Sequence, residues 1–120
     1  MATIENQKTH KQGLKTFIVK QEKTKYMAEY RCGYIVIPQG HELYEVNYDD
    51  IYIPSVHMEL TYSEYGDEDF NFSDTEWIIG FDTGHSIDNS ITRSLKHVQK
   101  CLDKMVDEII NKKYKIIKQA

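Results

Sequence analysis

The chain has 120 residues, of which 40% are hydrophobic and 28% are charged, with a net charge of −4 at neutral pH. This length fits one domain with its own core, so folding requires neither disulfides nor a metal ion. No apolar run approaches the roughly 18 residues that span a membrane. The N-terminal MATIENQKTHKQG lacks the apolar core of a signal peptide. We therefore expect one cytoplasmic domain over residues 1–120, with residues 1–12 flexible.

Charge is distributed unevenly along the chain. Met1–Arg31 carries seven basic and three acidic side chains, and Arg93–Ala120 carries eight basic and three acidic ones. Between them, Cys32–Thr92 carries thirteen acidic side chains and no lysine or arginine. In the structural interpretation, the basic ends pair with this acidic middle inside one fold. In the functional interpretation, the middle forms a negative surface that repels nucleic acid and attracts a basic partner or a divalent cation.

Four segments predict β-strands. Leu14–Lys20 and Trp77–Asp82 alternate between two faces, and Arg31–Ile37 is rich in β-branched and aromatic residues. Gly33 within the latter indicates a bulge or a close backbone approach. The fourth strand is predicted over Ser55–Ser63, with one face formed by Val56, Met58, Leu60 and Tyr62.

The C-terminal part predicts one long amphipathic helix. Its apolar stripe consists of Ile91, Leu95, Val98, Leu102, Met105, Val106 and Ile109. The expected N-cap is Asp88, Asn89 or Ser90, and the expected solvent side holds Arg93, Lys96, Lys100, Lys104, Asp107 and Glu108. We thus predict an α+β fold with three or four mostly antiparallel strands and this helix packed on one face. Cys32 and Cys101 are expected to be free, buried thiols.

The stretch Val56–Asp88 is the most promising place for a functional site, because it places polar groups at strand ends and in an acidic loop. Two aromatic residues in that loop, Phe70 and Phe72, suit an anchor or a partner contact. The predicted ligand- or partner-binding residues are His41, Tyr44, His57, Glu59, Asp67, Glu68, Asp69, Phe70, Phe72, Asp82 and His85.

Histidines and carboxylates in this set leave two interpretations open. Together they suit Zn²⁺ or Mn²⁺ binding, or a general acid and base, with His57, Asp82 and His85 as weak metal candidates. Their spacing matches no tight metal motif such as HExxH. They also suit structural roles, with Asp82 and Asp88 accepting hydrogen bonds in a turn or at a helix cap. We assign no catalytic residue, metal or cofactor from the sequence.

Tyrosine is abundant, with nine in the chain. The middle third holds Tyr34, Tyr44, Tyr48, Tyr52, Tyr62 and Tyr65. Tyrosines near acidic side chains are typical of protein-binding surfaces. The alternative interpretation is that these tyrosines are half-buried residues of the sheet.

A series of short motifs resembles one family of small proteins. The motifs are Cys32-Gly33-Tyr34, Gly40-His41, Leu43-Tyr44, Tyr48-Asp49-Asp50-Ile51, Val56-His57, Leu60-Thr61-Tyr62-Ser63 and Trp77-Ile78-Ile79-Gly80-Phe81-Asp82, followed by His85 and Asp88. Their order is similar to the pattern CGYV, HPLYG, DVHGGLTYS and WWxGFDxxHxxD of one protein family. Members of this protein family occur in Gram-positive bacteria, their phages and their mobile elements, and the family has no established biochemical activity. The chain departs from the pattern at Glu42, where proline is usual, at Met58-Glu59, where two glycines are usual, and at Ile78, where a second tryptophan is usual.

The resemblance implies a counter-defence or accessory role in the host cytoplasm. Our leading expectation is an anti-CRISPR-like inhibitor whose acidic surface binds a basic, nucleic-acid-binding host defence protein such as a CRISPR effector. A sponge for a nucleotide immune signal, using Lys15, Lys20, Arg31 or Arg93, is one alternative. A metal-dependent hydrolase built on His41, His57, Asp82 and His85 is another. We favour a non-enzymatic role without direct nucleic-acid or membrane binding, and leave a homodimer open.

Overall fold

The computed structural model describes residues 2–54, 60–66, 73–83, 91 and 93–117. Within these, the strands are β1 (Ala2–Thr9), β2 (Lys15–Gln21), β3 (Tyr30–Ile37), β4 (Ile51–Tyr52), β5 (Tyr62–Tyr65), β6 (Trp77–Asp82) and β7 (Lys115–Ile116), with one helix, α1 (Leu95–Ile110). Lys11–Gly13 and Tyr48–Asp50 form short 3₁₀ turns.

The strands form one five-stranded antiparallel sheet in the order β1-β2-β3-β6-β5, and β4 pairs with β7 in a small second sheet. Helix α1 packs on one face, mainly over β3 and also over β2. The predicted α+β architecture is confirmed, with five strands in the main sheet where three or four were expected. Among the described residues, no helix has the length and apolar character that crossing a membrane requires.

The extra strand is β1, which lies where the sequence predicted a flexible segment. It pairs with β2 from Ala2 opposite Gln21 to Thr9 opposite Lys15. Its mostly polar sequence gives no sign of a strand. In the structure Ile4 packs against buried residues of the sheet, and Glu5 forms an ion pair with Arg31. The register shifts between Glu5 and Lys8, beside Asn6 with a φ of 49°. Such a bulge and its charged neighbours are typical of a protected sheet edge.

The sheet has an apolar cluster on each face. The main core lies between the sheet and α1 and includes Ile18, Ile35, Ile37, Trp77, Ile79, Phe81, Val98, Leu102, Met105 and Ile109. The opposite face holds a smaller cluster of Phe17, Val19, Val36 and Ile78. The alternation predicted for the strands over 14–20 and 77–82 is confirmed by this division.

An aromatic row crosses the sheet on the face opposite α1. Phe17, Tyr34, Gly80 and Tyr62 are paired in register on four neighbouring strands. The Tyr34 ring stacks on Phe17 with centroids 4.9 Å apart and meets Tyr62 edge-on at 5.3 Å. Tyr34 reaches Tyr62 by lying over Gly80, where an added Cβ would be 2.4 Å from its ring.

Gly33 performs a similar task on the helix side. An added Cβ there would be 2.8 Å from Phe81 and 3.2 Å from Leu102 of α1. The strand pairs of β3 continue through Gly33 without a register shift. Of the two predicted explanations for this glycine, the close backbone approach is therefore the correct one.

The helix begins later than the sequence predicted. Its N-cap is Ser94, whose Oγ accepts a hydrogen bond from the His97 amide at 3.2 Å. The prediction that Ile91 begins the apolar stripe is wrong, because Ile91 precedes the helix and is 73% exposed. Asp88, Asn89 and Ser90 lie outside the described residues.

Two residues placed on the solvent side of the helix behave differently. Glu108 is buried, and Arg93 lies before the helix, where its Nε donates to the Thr83 carbonyl at 3.0 Å. The stripe itself is confirmed from Val98 to Ile109. Both cysteines are free, with Cys32 buried and Cys101 only half-buried.

The strand predicted over Ser55–Ser63 differs as well. The described strand begins only at Tyr62, and residues 55–59 lie outside the description. Leu60 joins the main core, whereas Tyr62 packs against the cluster on the opposite face. The predicted common face for Leu60 and Tyr62 is therefore wrong, because regular alternation does not extend through Thr61.

Candidate functional site

Three of the predicted binding residues, His41, Tyr44 and Asp82, fall within the described part of the chain. The others, His57, Glu59, Asp67, Glu68, Asp69, Phe70, Phe72 and His85, lie outside it. Whether His57 and Asp82 approach His85 stays a prediction.

Asp82 ends β6 on the face opposite α1. It is paired in register with Cys32 and is half-buried. Burial raises the pKa of the Cys32 thiol to about 11; the hydrogen bond from Tyr34 opposes this rise, and the Asp82 carboxylate adds to it. A protonated thiol is a poor nucleophile, so these groups do not form an activated-cysteine site.

His41 shapes a turn in the loop after β3. Its Nδ1 accepts a hydrogen bond from the Leu43 amide at 3.0 Å, which leaves Nε2 to carry the proton of the neutral ring. Burial lowers the pKa of His41, Glu42 raises it and Lys112 lowers it further. Its geometry matches the structural interpretation of a hydrogen-bonded residue at a strand end.

Tyr44 fastens the same loop to the turn before β6. Its hydroxyl donates to the Thr75 carbonyl at 2.7 Å, and its half-buried ring lies 6.5 Å from that of Tyr65. Nearby, Trp77 Nε1 donates to the Val46 carbonyl at 2.9 Å. Tyr44 therefore supports the surface around Tyr65 rather than being fully exposed itself.

His41 and Asp82 lie toward opposite ends of the sheet. The loop that holds His41 follows Ile37, and Ile37 is paired with Trp77 at the start of β6. Asp82 is at the other end of β6, which is roughly 17 Å away at the usual rise of an extended strand. The described residues contain no group of three or more metal-type ligands. This geometry does not support a hydrolase centre that uses both His41 and Asp82.

Arg31 and Arg93, two residues considered for a phosphate site, come together around Thr83. Thr83 Oγ1 donates to the Arg31 carbonyl at 2.8 Å and accepts from the Arg31 amide at 3.1 Å. The Arg31 guanidinium contacts the carboxylates of Glu5 at 2.9 Å and Glu29 at 3.5 Å. A phosphate would have to displace these carboxylates to bind Arg31. The contacts around Thr83 instead join the end of β6 to Arg93, just before α1.

A different group of residues forms the most distinctive exposed surface. Glu64 and Tyr65 lie on the edge strand β5, and the neighbouring loop contributes three more exposed side chains. Tyr65 lies on the α1 side of the sheet, as its partner Trp77 does, and Glu64 lies on the opposite side, as its partner Ile78 does. We call the surface that wraps around this edge the acidic tyrosine surface, defined by Glu45, Tyr48, Asp49, Glu64 and Tyr65.

Specific contacts hold the acidic tyrosine surface in place. The Tyr65 hydroxyl donates a hydrogen bond to the Glu45 carboxylate, and this bond raises the Tyr65 pKa to about 12. The Tyr48 amide donates to Ser63 Oγ at 3.1 Å, which joins the loop to β5. The Tyr65 ring meets Trp77 edge-on at 5.0 Å. The surface is therefore anchored on the main core.

Few close ion pairs neutralise this surface, although the β4–β7 pair places Lys115 opposite Tyr52, near Asp49. Where both partners are described, only Lys15 and Glu76, 3.6 Å apart, join a basic end to the acidic middle. The other ion pairs in the described ranges stay within Met1–Arg31 or join Lys8 to Asp103. Ion pairs between the ends and the middle are therefore few among these residues. The strands themselves do bring them together, because β2 pairs with β3 and β7 pairs with β4.

The sequence pointed to Tyr48 and Tyr65 as members of a tyrosine cluster and to Tyr48 and Asp49 as part of a motif, but Glu45 and Glu64 were missed. The signal for Glu64 and Tyr65 was their position at the end of a predicted strand. Glu45 has a φ of 65°, a conformation that nothing in the local sequence announces.

No protein-family model, curated protein or solved structure matches the chain. The family resemblance and the setting that it implies therefore stay predictions.

Proposed function

We propose that the protein is a counter-defence binding protein whose acidic tyrosine surface engages a basic, nucleic-acid-binding defence protein of the host, such as a CRISPR effector. Occupying the groove of that effector would block the access of nucleic acid. The observation that carries the proposal is an exposed, anchored group of carboxylates and tyrosines inside a 61-residue stretch without lysine or arginine.

The composition of the surface suits this role. Tyr48 and Tyr65 are 40% and 43% exposed, and each offers a large contact area for a small loss of side-chain entropy. Glu45, Asp49 and Glu64 supply charge that steers a basic partner toward the surface. A phosphate backbone would be repelled by the same charges, so the partner is the protein that binds nucleic acid and not the nucleic acid.

The test is a pull-down from a CRISPR-bearing host with the tagged wild-type protein and two matched variants. We expect the wild type to capture a basic nucleic-acid-binding protein and the surface variant Asp49→Lys/Glu64→Lys to lose it. Asp107→Lys makes the same kind of charge change on the exposed side of α1 and should retain capture. If the wild type recovers no basic protein, the proposal is contradicted.

A further inference from the structure

The connection between β2 and β3 presents an aromatic side chain to solvent. Tyr26 is 90% exposed, more than any other large hydrophobic residue in the described ranges. Thr24 fixes the turn that carries it, because its Oγ1 accepts from the amides of Tyr26 at 3.3 Å and Met27 at 3.1 Å. The Thr24 amide also donates to the Met27 carbonyl at 2.8 Å. The outward position of Tyr26 is thus built into the turn.

The same turn is basic. Lys23 and Lys25 are exposed, and Lys25 Nζ lies 5.7 Å from the centroid of the Tyr26 ring. The nearby carboxylates of Glu22 and Glu29 form ion pairs with Lys20, at 3.8 Å and 3.3 Å. No described carboxylate forms an ion pair with Lys23 or Lys25. We call Lys23, Lys25 and Tyr26 the basic tip.

The basic tip and the acidic tyrosine surface lie at opposite ends of the sheet. Tyr65 pairs with Trp77, which in turn pairs with Ile37 at the end of β3. The tip joins Gln21 to Tyr30, at the start of β3. The length of β3 separates these rows by roughly 23 Å at the usual rise per strand residue. One copy of the chain therefore cannot bring its own tip to its own surface.

We propose that the basic tip of one copy docks on the acidic tyrosine surface of a second copy. The charges of Lys23 and Lys25 complement those of Glu45, Asp49 and Glu64, and Tyr26 meets the exposed rings of Tyr48 and Tyr65. This contact uses different patches on the two copies, so it is head-to-tail and leaves a free tip and a free surface at the ends of each dimer, from which rings or open chains grow. It rests on the proposed function in one respect: self-association and the basic partner compete for one surface.

Sedimentation velocity across a concentration series, at low and high salt, tests the proposal. The wild type should form species larger than a monomer as the protein concentration rises, and high salt should dissociate these species into monomers. A tip variant, Lys23→Ser/Lys25→Ser/Tyr26→Ala, and the surface variant Asp49→Lys/Glu64→Lys should each stay monomeric. Lys96→Glu on the exposed side of α1 is the control and should associate as the wild type does. Circular dichroism confirms that each variant is folded.

Mixing the two variants gives a sharper result. The intact tip of the surface variant can dock on the intact surface of the tip variant, but the remaining tip and surface are disabled. The mixture should therefore form dimers and nothing larger. A wild type that stays monomeric at millimolar concentration would overturn the proposal, as would a tip variant that associates normally.

Two other outcomes would overturn the proposal and point to a different contact. A symmetric dimer insensitive to the tip changes would assign association to the outer edge of β1 instead. A monomeric wild type that binds phosphatidylserine vesicles through Tyr26 would assign the tip to an anionic membrane. Because the tip variant keeps the acidic tyrosine surface, capture of the basic partner by that variant separates failure of self-association from failure of the proposed function.

Discussion

Gly80 is where the aromatic row of the sheet crosses a backbone without a side chain. An alanine Cβ at this position would be 2.4 Å from Tyr34 Cδ1 and 2.7 Å from the Gly33 carbonyl oxygen. The second neighbour is backbone and cannot swing aside. The row of Phe17, Tyr34 and Tyr62 therefore depends on glycine at this position.

Gly80→Ala should lower the free energy of unfolding by about 3 kcal/mol, the upper end of the usual overpacking cost. Urea denaturation followed by fluorescence measures this. Gly40→Ala is the matched control: its φ of 89° disfavours alanine, but nothing lies within 4 Å, so a loss of only about 1 kcal/mol is expected. Equal losses for the two variants would contradict the close approach.

His41 gives the stability a pH dependence. Its pKa is lowered in the folded chain, mainly by burial, whereas in the unfolded chain it titrates near pH 6.5. The unfolded chain therefore binds more protons in this window, and the free energy of unfolding falls as pH drops through about 6.5.

His41→Asn should reduce that slope between about pH 7 and pH 5.5, because asparagine keeps an acceptor for the Leu43 amide and does not titrate. Urea denaturation at a series of pH values measures it. Since asparagine keeps the hydrogen bond, the two chains should be similarly stable near pH 7, and the wild type should fall below the variant toward pH 5.5. An unchanged slope would show that His41 does not contribute to it.

At the scale of elements, the helix shows what the sequence can and cannot predict. The stripe from Val98 to Ile109 follows from spacing alone, since burial of one face requires it. The start does not follow, because Asp88, Asn89, Ser90 and Ser94 are all good N-cap residues. The hydrogen bond from Arg93 to the Thr83 carbonyl fixes the chain just before Ser94, and the sequence does not predict that contact.

Ser94→Ala should lower the free energy of unfolding by about 1 kcal/mol, because the His97 amide loses its acceptor. Thermal or urea denaturation measures the loss. Ser90→Ala removes one of the N-caps that the sequence predicted and should cost less than half as much, because the helix begins at Leu95. A larger loss for Ser90→Ala would contradict a helix start at Leu95.

The strands show a similar division. Composition predicted Trp77–Asp82 correctly, because a short run of aromatic and β-branched residues is typical of a strand that is buried on both faces. It could not predict β1, whose pairing with β2 supplies backbone hydrogen bonds that leave no mark on side-chain composition. It also could not place the interruption at Thr61, because the amino-acid sequence alternates between apolar and polar residues straight through that position.

At the scale of the whole molecule, part of the charge segregation of the sequence becomes a segregation in space, while the basic C-terminal end lies beside the acidic loop through the β4–β7 pair. The basic tip at Lys23–Tyr26 and the acidic tyrosine surface occupy opposite ends of the sheet. The sequence predicted an acidic, tyrosine-rich binding region. It could not predict that Glu45 contacts Tyr65, because only the course of the long loop after β3 brings Glu45 to the edge strand β5.

The central claim is that the acidic tyrosine surface binds a basic partner. The most direct measurement is the affinity of the captured partner for the wild type, Asp49→Lys/Glu64→Lys and Asp107→Lys, each at several salt concentrations. We predict that the surface variant binds at least about tenfold more weakly and with a flatter salt dependence, while Asp107→Lys behaves as the wild type. Equal affinity of the surface variant and the wild type at low salt would contradict the claim.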